Sequence, residues 1–245
     1  MSGSSLAFTQ RDKAVVAEVM RFGVMSRDQF MRLKFFASKT RANVRLKRLV
    51  DAGYLAVRRQ PLEVGGPRFV YLPGRNTTEV PEARKRLSDA SDPFLAHQLG
   101  LVDIRLAFER DNGLSRWLSE KDLAQLSLGL VPDAYVEYEV SGLTYCAFVE
   151  YDRGTETLGR IERKVRAYLD LAYSGRFERA FTRKFFRVLI VTDSASRLVA
   201  LSKATARLTD RIIRFSTLPE LSHLGPLGSI WRRPGANASE TLTVS

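Results

Sequence analysis

The sequence predicts an α+β protein of two domains. Two observations carry this. The apolar residues of the first seventy-odd positions follow a helical period through three segments, then switch to the alternation of a β-hairpin. After a stretch rich in Pro, Asn and Thr, the patterns recur in the order helix, hairpin, helix, strand, helix, which reads as an α/β domain. The chain has 245 residues and 44% hydrophobic content, enough for two small cores.

Residues 1–7 are small and polar and read as a tail. Between Phe8 and Val24 the residues Val15, Val16, Val19 and Met20 recur at helical spacing, and Gly23 punctuates. Ser26 is placed to cap a second helix carrying Phe30, Leu33 and Phe36. Ser38 caps a third, with Val44, Leu46, Leu49 and Val50 as its apolar positions and Gly53 beyond its end. Tyr54 to Val57 reads as a strand, Arg58 to Gly66 as a turn region, and Phe69 to Leu72 as the returning strand. Three short helices and a hairpin make a winged helix-turn-helix over residues 1–74. The string from Leu49 to Leu55 resembles the end of the recognition helix in many winged-helix regulators.

Charge agrees with that reading. The chain holds 39 Lys and Arg against 27 Asp and Glu, a net charge of +12, with a pI near 10.1. A protein this basic usually meets a polyanion, nucleic acid being the commonest; a generally basic proteome is the bland alternative. The third helix carries Lys39, Arg41, Arg45, Lys47 and Arg48 against Asp51, and the hairpin adds Arg58, Arg59 and Arg68. Arg41, Asn43 and Arg45 are expected to reach base edges in the major groove of double-stranded DNA. Arg can fork onto guanine and Asn onto adenine. Lys39, Thr40, Lys47, Arg58 and Arg59 are expected to hold phosphates, and Arg48 and Arg68 to belong to the same DNA-binding surface. A protein-binding winged helix is the competing reading.

A lone Cys146 excludes an intramolecular disulfide, and one cysteine with two histidines disfavours zinc. No apolar run approaches a membrane span and no signal-peptide core is present, so a cytoplasmic protein with no membrane partner is expected. Residues 75–93, with Pro81, Pro93, Asn76 and the charged run Glu82 to Arg86, read as a linker anchored by Leu87. The second domain is expected over 94–233 and a flexible tail over 234–245.

In the second domain a helix from Phe94 to Arg110 precedes an ambiguous stretch, Trp117 to Leu130. Val131 to Val140 then alternates as a strand, Ser141-Gly142 signals a hairpin, and Thr144 to Asp152 is the second strand. Glu150 and Asp152 fall on one face of that strand. The hairpin register brings Asp133 towards them. Three carboxylates at one end of a sheet would form a hard oxygen site for magnesium or manganese (Mg2+ or Mn2+). Salt bridges to Arg153, Arg160 or Lys164 are the structural alternative. A helix follows to about Ala172, with Arg160, Lys164 and Tyr168 along one side. Phe186 to Thr192 is a buried-type strand, and Ser194 or Ser196 starts another helix. His97, Glu109 and Tyr168 are outside candidates for a site, whereas His223 reads as surface and Trp117 and Trp231 as core or interface anchors.

That order resembles the PD-(D/E)XK nuclease-like fold, with Pro132-Asp133 and Glu150-Tyr151-Asp152 at the positions of its acidic motif. The chain departs from the pattern where Asp152 stands in the lysine position; Lys164, from the following helix, is the substitute the resemblance implies. Taken with Phe94-Leu95-Ala96-His97, Val131-Pro132-Asp133-Ala134, the string Val149 to Glu156, and Gly225 to Arg232, the chain from residue 8 to 233 resembles the replication-relaxation family. That resemblance implies a plasmid, phage or integrative-element protein acting in replication, relaxation or mobilisation. It leaves two readings. One is a non-catalytic DNA-binding regulator or accessory factor, a homodimer meeting replication or mobilisation proteins. The other is a metal-dependent DNA endonuclease or nickase using Asp133, Glu150, Asp152 and Lys164.

Overall fold

The computed structural model describes residues 7–61, 67–77, 87 and 89–242. The expected N-terminal tail, the glycines Gly65 and Gly66, and the charged run Glu82 to Arg86 lie outside these residues, apart from Ala7. The chain divides into two compact units, Met1–Val102 and Asp103–Ser245, and its secondary structure is mixed α and β.

In the first unit, α1 (Gln10–Phe22) begins at a capping box. The Thr9 hydroxyl accepts from the Asp12 amide, and the Asp12 carboxylate accepts from the Thr9 amide at 2.7 Å. β1 (Met25–Ser26) leads into α2 (Arg27–Arg32), which Ser26 and Gln29 cap in the same reciprocal way. α3 (Lys39–Asp51) is capped by Ser38. β2 (Leu55–Gln60) and β3 (Arg68–Pro73) are antiparallel, and β1 adds to the far side of β3, giving the order β1-β3-β2. Arg58 and Arg59 therefore belong to a strand, not to the turn region expected from Pro61 and the glycines beyond it. Val15, Val19, Phe30, Leu46, Leu49 and Val70 are buried here. Met20 and Val44, expected in apolar stripes, are exposed at 41% and 52%.

The residues just after the hairpin stay on the unit. A Cβ on Gly74 would lie 2.2 Å from the Gly53 carbonyl oxygen, so only glycine lets the two backbones approach there. Asn76 donates to the Ala52 carbonyl at 2.9 Å. Leu87 packs with Val24, Val70, Leu72, Leu95 and Leu99. The last two lie on α4 (Asp92–Glu109), and the unit boundary falls within that helix. The first unit thus reaches beyond residue 74, because the first turns of α4 cover its sheet.

In the second unit, β4 (Leu114–Ser119), a short α5 (Glu120–Leu123), β5 (Ala134–Val140) and β6 (Leu143–Asp152) precede α6 (Leu158–Tyr173) and α7 (Arg176–Phe181). β7 (Arg187–Thr192), α8 (Ala195–Thr205), β8 (Ile213–Thr217), α9 (Leu218–Leu224), β9 (Trp231–Arg232) and β10 (Ser239–Glu240) follow. The seven strands form one sheet, ordered β10-β9-β8-β7-β6-β5-β4, in which β6, β7 and β8 run parallel. Tyr135, Phe148, Ile190 and Phe215 of the sheet share a core with Ile161, Val165 and Tyr168 of α6 and with Leu198 and Leu201 of α8.

Residues 234–242 are not a loose tail. β10 pairs with β9, and Leu242 is buried. Glu240 forms ion pairs with Arg214, itself 2% exposed, and with Arg233 at 2.9 Å. A buried guanidinium needs a carboxylate beside it, and the chain supplies one from this segment.

Candidate functional site

The first group of functional candidates lies on α3. Ala42, Leu46 and Leu49 turn inward, which leaves Lys39, Thr40, Arg41, Asn43, Lys47 and Arg48 exposed. Lys47 pairs with Asp51 at 2.6 Å, one turn on. The Asn43 Oδ1 accepts from Arg27 Nη1 at 3.2 Å. Arg27 belongs to no motif of the sequence, but its place directly after the Ser26 cap sets it at the start of α2, beside the face of α3. Arg11 lines a concavity with Thr40, Arg41 and Arg48, its guanidinium 5.6 Å from the Phe36 ring centroid.

Arg45 lines the same concavity, but its guanidinium is engaged inward. Its Nε donates to Asp12 Oδ1 at 2.7 Å, and its Nη2 donates to Asp12 Oδ2 and to the Ala7 carbonyl. Asp12 is fully buried. Burial raises its pKa, but the bonds from Arg45 and Thr9 prevail and hold it at about 2. Arg45 is therefore a bracket between α3 and α1, since a buried carboxylate has to be paired. Arg58 is also committed to the fold: it donates to the Ala90 carbonyl and, at 2.9 Å, to Asp92. Arg59 is exposed, its guanidinium 5.7 Å from the Phe69 ring centroid, and Arg68 is half-buried.

The second group lies where β6 ends. The hairpin turn at Ser141-Gly142 sets Ala134 opposite Val149, so Asp133 arrives beside Glu150. Its Oδ2 accepts from the Tyr151 amide at 2.8 Å. Glu150 is 3% exposed. Lys164 donates to its Oε2 at 2.8 Å, and Tyr168 donates to its Oε1. Burial, then the charge of Asp133, pushes Glu150 up to about 7, with Lys164 and Tyr168 pulling the other way. Burial works against the Lys164 ammonium, but Glu150 outweighs it and the net direction is upward. Glu156 lies 3.9 Å from the same ammonium and pairs with Arg160 at 3.0 Å.

Asp152, on the same face of β6, has partners of its own. Its Oδ1 accepts from the Gly154 amide at 3.0 Å and its Oδ2 from Arg197 Nε at 2.6 Å. Arg197 comes from α8, forty-five positions on, and no local sequence signal announced it. The expected three-carboxylate cluster is thus divided. Glu150 is neutralised by Lys164 and Asp152 by Arg197. Among the described residues no group of three or more His, Cys, Asp or Glu side chains is placed to hold a metal ion. With the four oxygens of Glu150 and Asp152 taken by Lys164, Tyr168, Arg197 and the Gly154 amide, the donor set as arranged does not fit magnesium or manganese.

Of the remaining candidates, His97 is half-buried on α4. Glu109 pairs with Arg105 at 2.9 Å. The His223 carbonyl accepts from Arg110. Trp231 is fully buried and donates to the Pro226 carbonyl at 2.8 Å. Trp117 packs its ring on Phe108. Among the described residues no helix is long and apolar enough to cross a membrane.

Among solved structures, the restriction endonuclease FokI is similar at 13% identity over 92% of this chain and 46% of its own, with a TM-score of 0.37. FokI bound to DNA is similar at 13% identity over the same shares, with a TM-score of 0.32. The chain spans less than half of that enzyme's chain, and a likeness this weak carries no argument. No curated protein matches the chain by sequence. The family model described as replication-relaxation matches residues 17–188, well over half of the chain, and the protein therefore belongs to the replication-relaxation family.

Proposed function

We propose that the protein is a non-catalytic DNA-binding factor of a plasmid, phage or other mobile element, acting in its replication, relaxation or mobilisation or in transcriptional control. In this reading the first unit is a winged helix. α3 enters the major groove, Arg41 and Asn43 read bases, and Lys39, Thr40, Lys47, Arg48, Arg59 and Arg68 hold phosphates. The observation that carries it is the outward face of α3, where Lys39, Arg41, Lys47 and Arg48 stand exposed with Asp51 the one acid of the helix. A homodimer would present two such helices to two half-sites of a duplex.

Binding to a short labelled duplex, followed by fluorescence anisotropy across a salt series, tests this. Substituting Lys39 and Arg48 by Ala should flatten the dependence of log K on log salt by about 0.9 for each phosphate no longer neutralised. Substituting Arg41 and Asn43 by Ala should cost about 1–3 kcal/mol for each base no longer read. Unchanged binding in both variants would refute the reading.

The endonuclease alternative has one observation in its favour, the displaced pKa of buried Glu150 beside Lys164, a pattern common at active sites. The pairing of Glu150 and Asp152 with protein cations favours the non-catalytic reading. Supercoiled plasmid incubated with magnesium or manganese should stay intact. Metal-dependent nicking that is lost in Glu150→Ala would reverse the order.

A further inference from the structure

The parallel strands of the second unit have two ends, and Glu150 and Asp152 occupy only one. At the other lies a groove of about 470 Å³, lined among others by Tyr145, Tyr173, Lys184, Phe185, Arg187 and Arg211. Two of its rings are almost fully in water: Tyr173 is 84% exposed and Phe185 85%.

Sequence explains why. Ile161, Val165, Tyr168 and Leu171 form the inward stripe of α6, and Tyr173 falls two positions past it, on the outer side. Phe186 enters the core, its ring 4.6 Å from Phe177 and 5.0 Å from Phe148, so its neighbour Phe185 must point away. Single exposed apolar residues are common and mean little. Here two aromatic faces line one concavity together with three basic residues. Lys184 and Arg211 are exposed, and among the described residues neither side chain pairs with a carboxylate. Arg187 is held in place, donating through Nη1 to the Arg211 carbonyl at 2.6 Å.

We propose that this groove binds single-stranded DNA, with bases stacking on Tyr173 and Phe185 and phosphates meeting Lys184, Arg187 and Arg211. The combination selects the ligand. Cations favour a polyanion, and exposed rings favour one whose bases present free π-faces. In a duplex those faces are covered by neighbouring base pairs, whereas a single strand offers them. The site is separate from α3, so its success or failure does not depend on how the first unit meets duplex.

The test uses the full chain and two fluorescein-labelled probes, an oligo(dT) strand and a duplex of equal length, read by anisotropy. Both rings are exposed, so the double variant Tyr173→Ala with Phe185→Ala should melt at the wild-type temperature. Its Kd for oligo(dT) should rise at least about 30-fold, as expected when two stacked bases lose their rings, while its Kd for duplex stays within about twofold. Tyr173→Phe keeps the stacking face and should bind the strand as the wild type does. Lys184→Ala with Arg211→Ala should lower the salt slope for oligo(dT) by about 0.7 for each phosphate no longer neutralised. An unchanged oligo(dT) Kd in the double aromatic variant would overturn the proposal. So would an equal loss of duplex binding in that variant. The proposal would also fall if light scattering found wild-type dimers reduced to monomers in the variant with strand binding intact, because the groove would then hold a second copy of the chain.

Discussion

Arg45→Met separates a fold role from a base-reading role. In the structure the Arg45 guanidinium forks onto Asp12, which is fully buried. The pairing and the Thr9 bonds lower the Asp12 pKa from 3.8 to about 2, which corresponds to about 2.5 kcal/mol of stability. Removing Arg45 strands the carboxylate, and breaking such a pair on one side costs about 3–5 kcal/mol. Removing both charges in Asp12→Asn with Arg45→Met should cost less than the sum of the single variants, by about 2 kcal/mol. Urea unfolding followed by far-ultraviolet circular dichroism, which reports the helices of both units, measures all four corners of that cycle. The pH dependence has a defined sign. The folded pKa of Asp12 lies below its unfolded value, so its contribution is complete above about pH 4 and fades as the pH falls towards 2. Below that the difference between wild type and Asp12→Asn should vanish. At a protein concentration and temperature where Arg45→Met is still folded, its duplex affinity should stay near that of the wild type. Wild-type stability combined with a tenfold loss of duplex binding would refute the bracket role and return Arg45 to the bases.

Glu240→Ala should destabilise the protein by about 3–5 kcal/mol, read as a lowered urea midpoint, because it leaves Arg214 buried without its carboxylate. Unchanged stability would show the β9–β10 segment to be dispensable. Glu150, raised from 4.5 to about 7, binds its proton more tightly folded than unfolded. Stability should therefore fall as the pH rises from about 4.5 through 7, and Glu150→Gln should flatten that slope; a slope identical in the two proteins would contradict the burial argument. Trp231→Ala should lower stability by about 3–5 kcal/mol through the cavity it opens, measured by thermal melting. An effect below about 1 kcal/mol would mean that the site collapses around the loss.

The caps of the helices were legible because a cap is local. Ser26, Ser38 and Ser194 each sit one position before the helix that they start. The turn at Ser141-Gly142 was legible for the same reason: both residues have positive φ, at 49° and 77°, and such a pair is a hairpin signal. The register that brings Asp133 to Glu150 followed from that turn. Partners distant in sequence were not legible. Asp12 and Arg45 are thirty-three positions apart, Asp152 and Arg197 forty-five, and each carboxylate could have met a cation closer by. The two-residue β1 and the six-residue α7 are too short to show a period. Val44 and Met20 show a further limit, since an apolar residue at helical spacing can stand at the rim of a stripe and remain in water.

The parallel pairing of β6 with β7 has a metric consequence. It runs in unbroken register from Ala147 and Arg187 to Asp152 and Thr192, five residue steps, or about 17 Å at the rise of a β-strand. The sheet is therefore a ruler of fixed length between the aromatic, basic groove and the paired carboxylates. No single nucleotide can touch both ends, and substitutions at one end should add to those at the other without coupling. Because a one-residue slip would turn every side chain of a strand to the opposite face, that distance is set by the same alternation that packs the core.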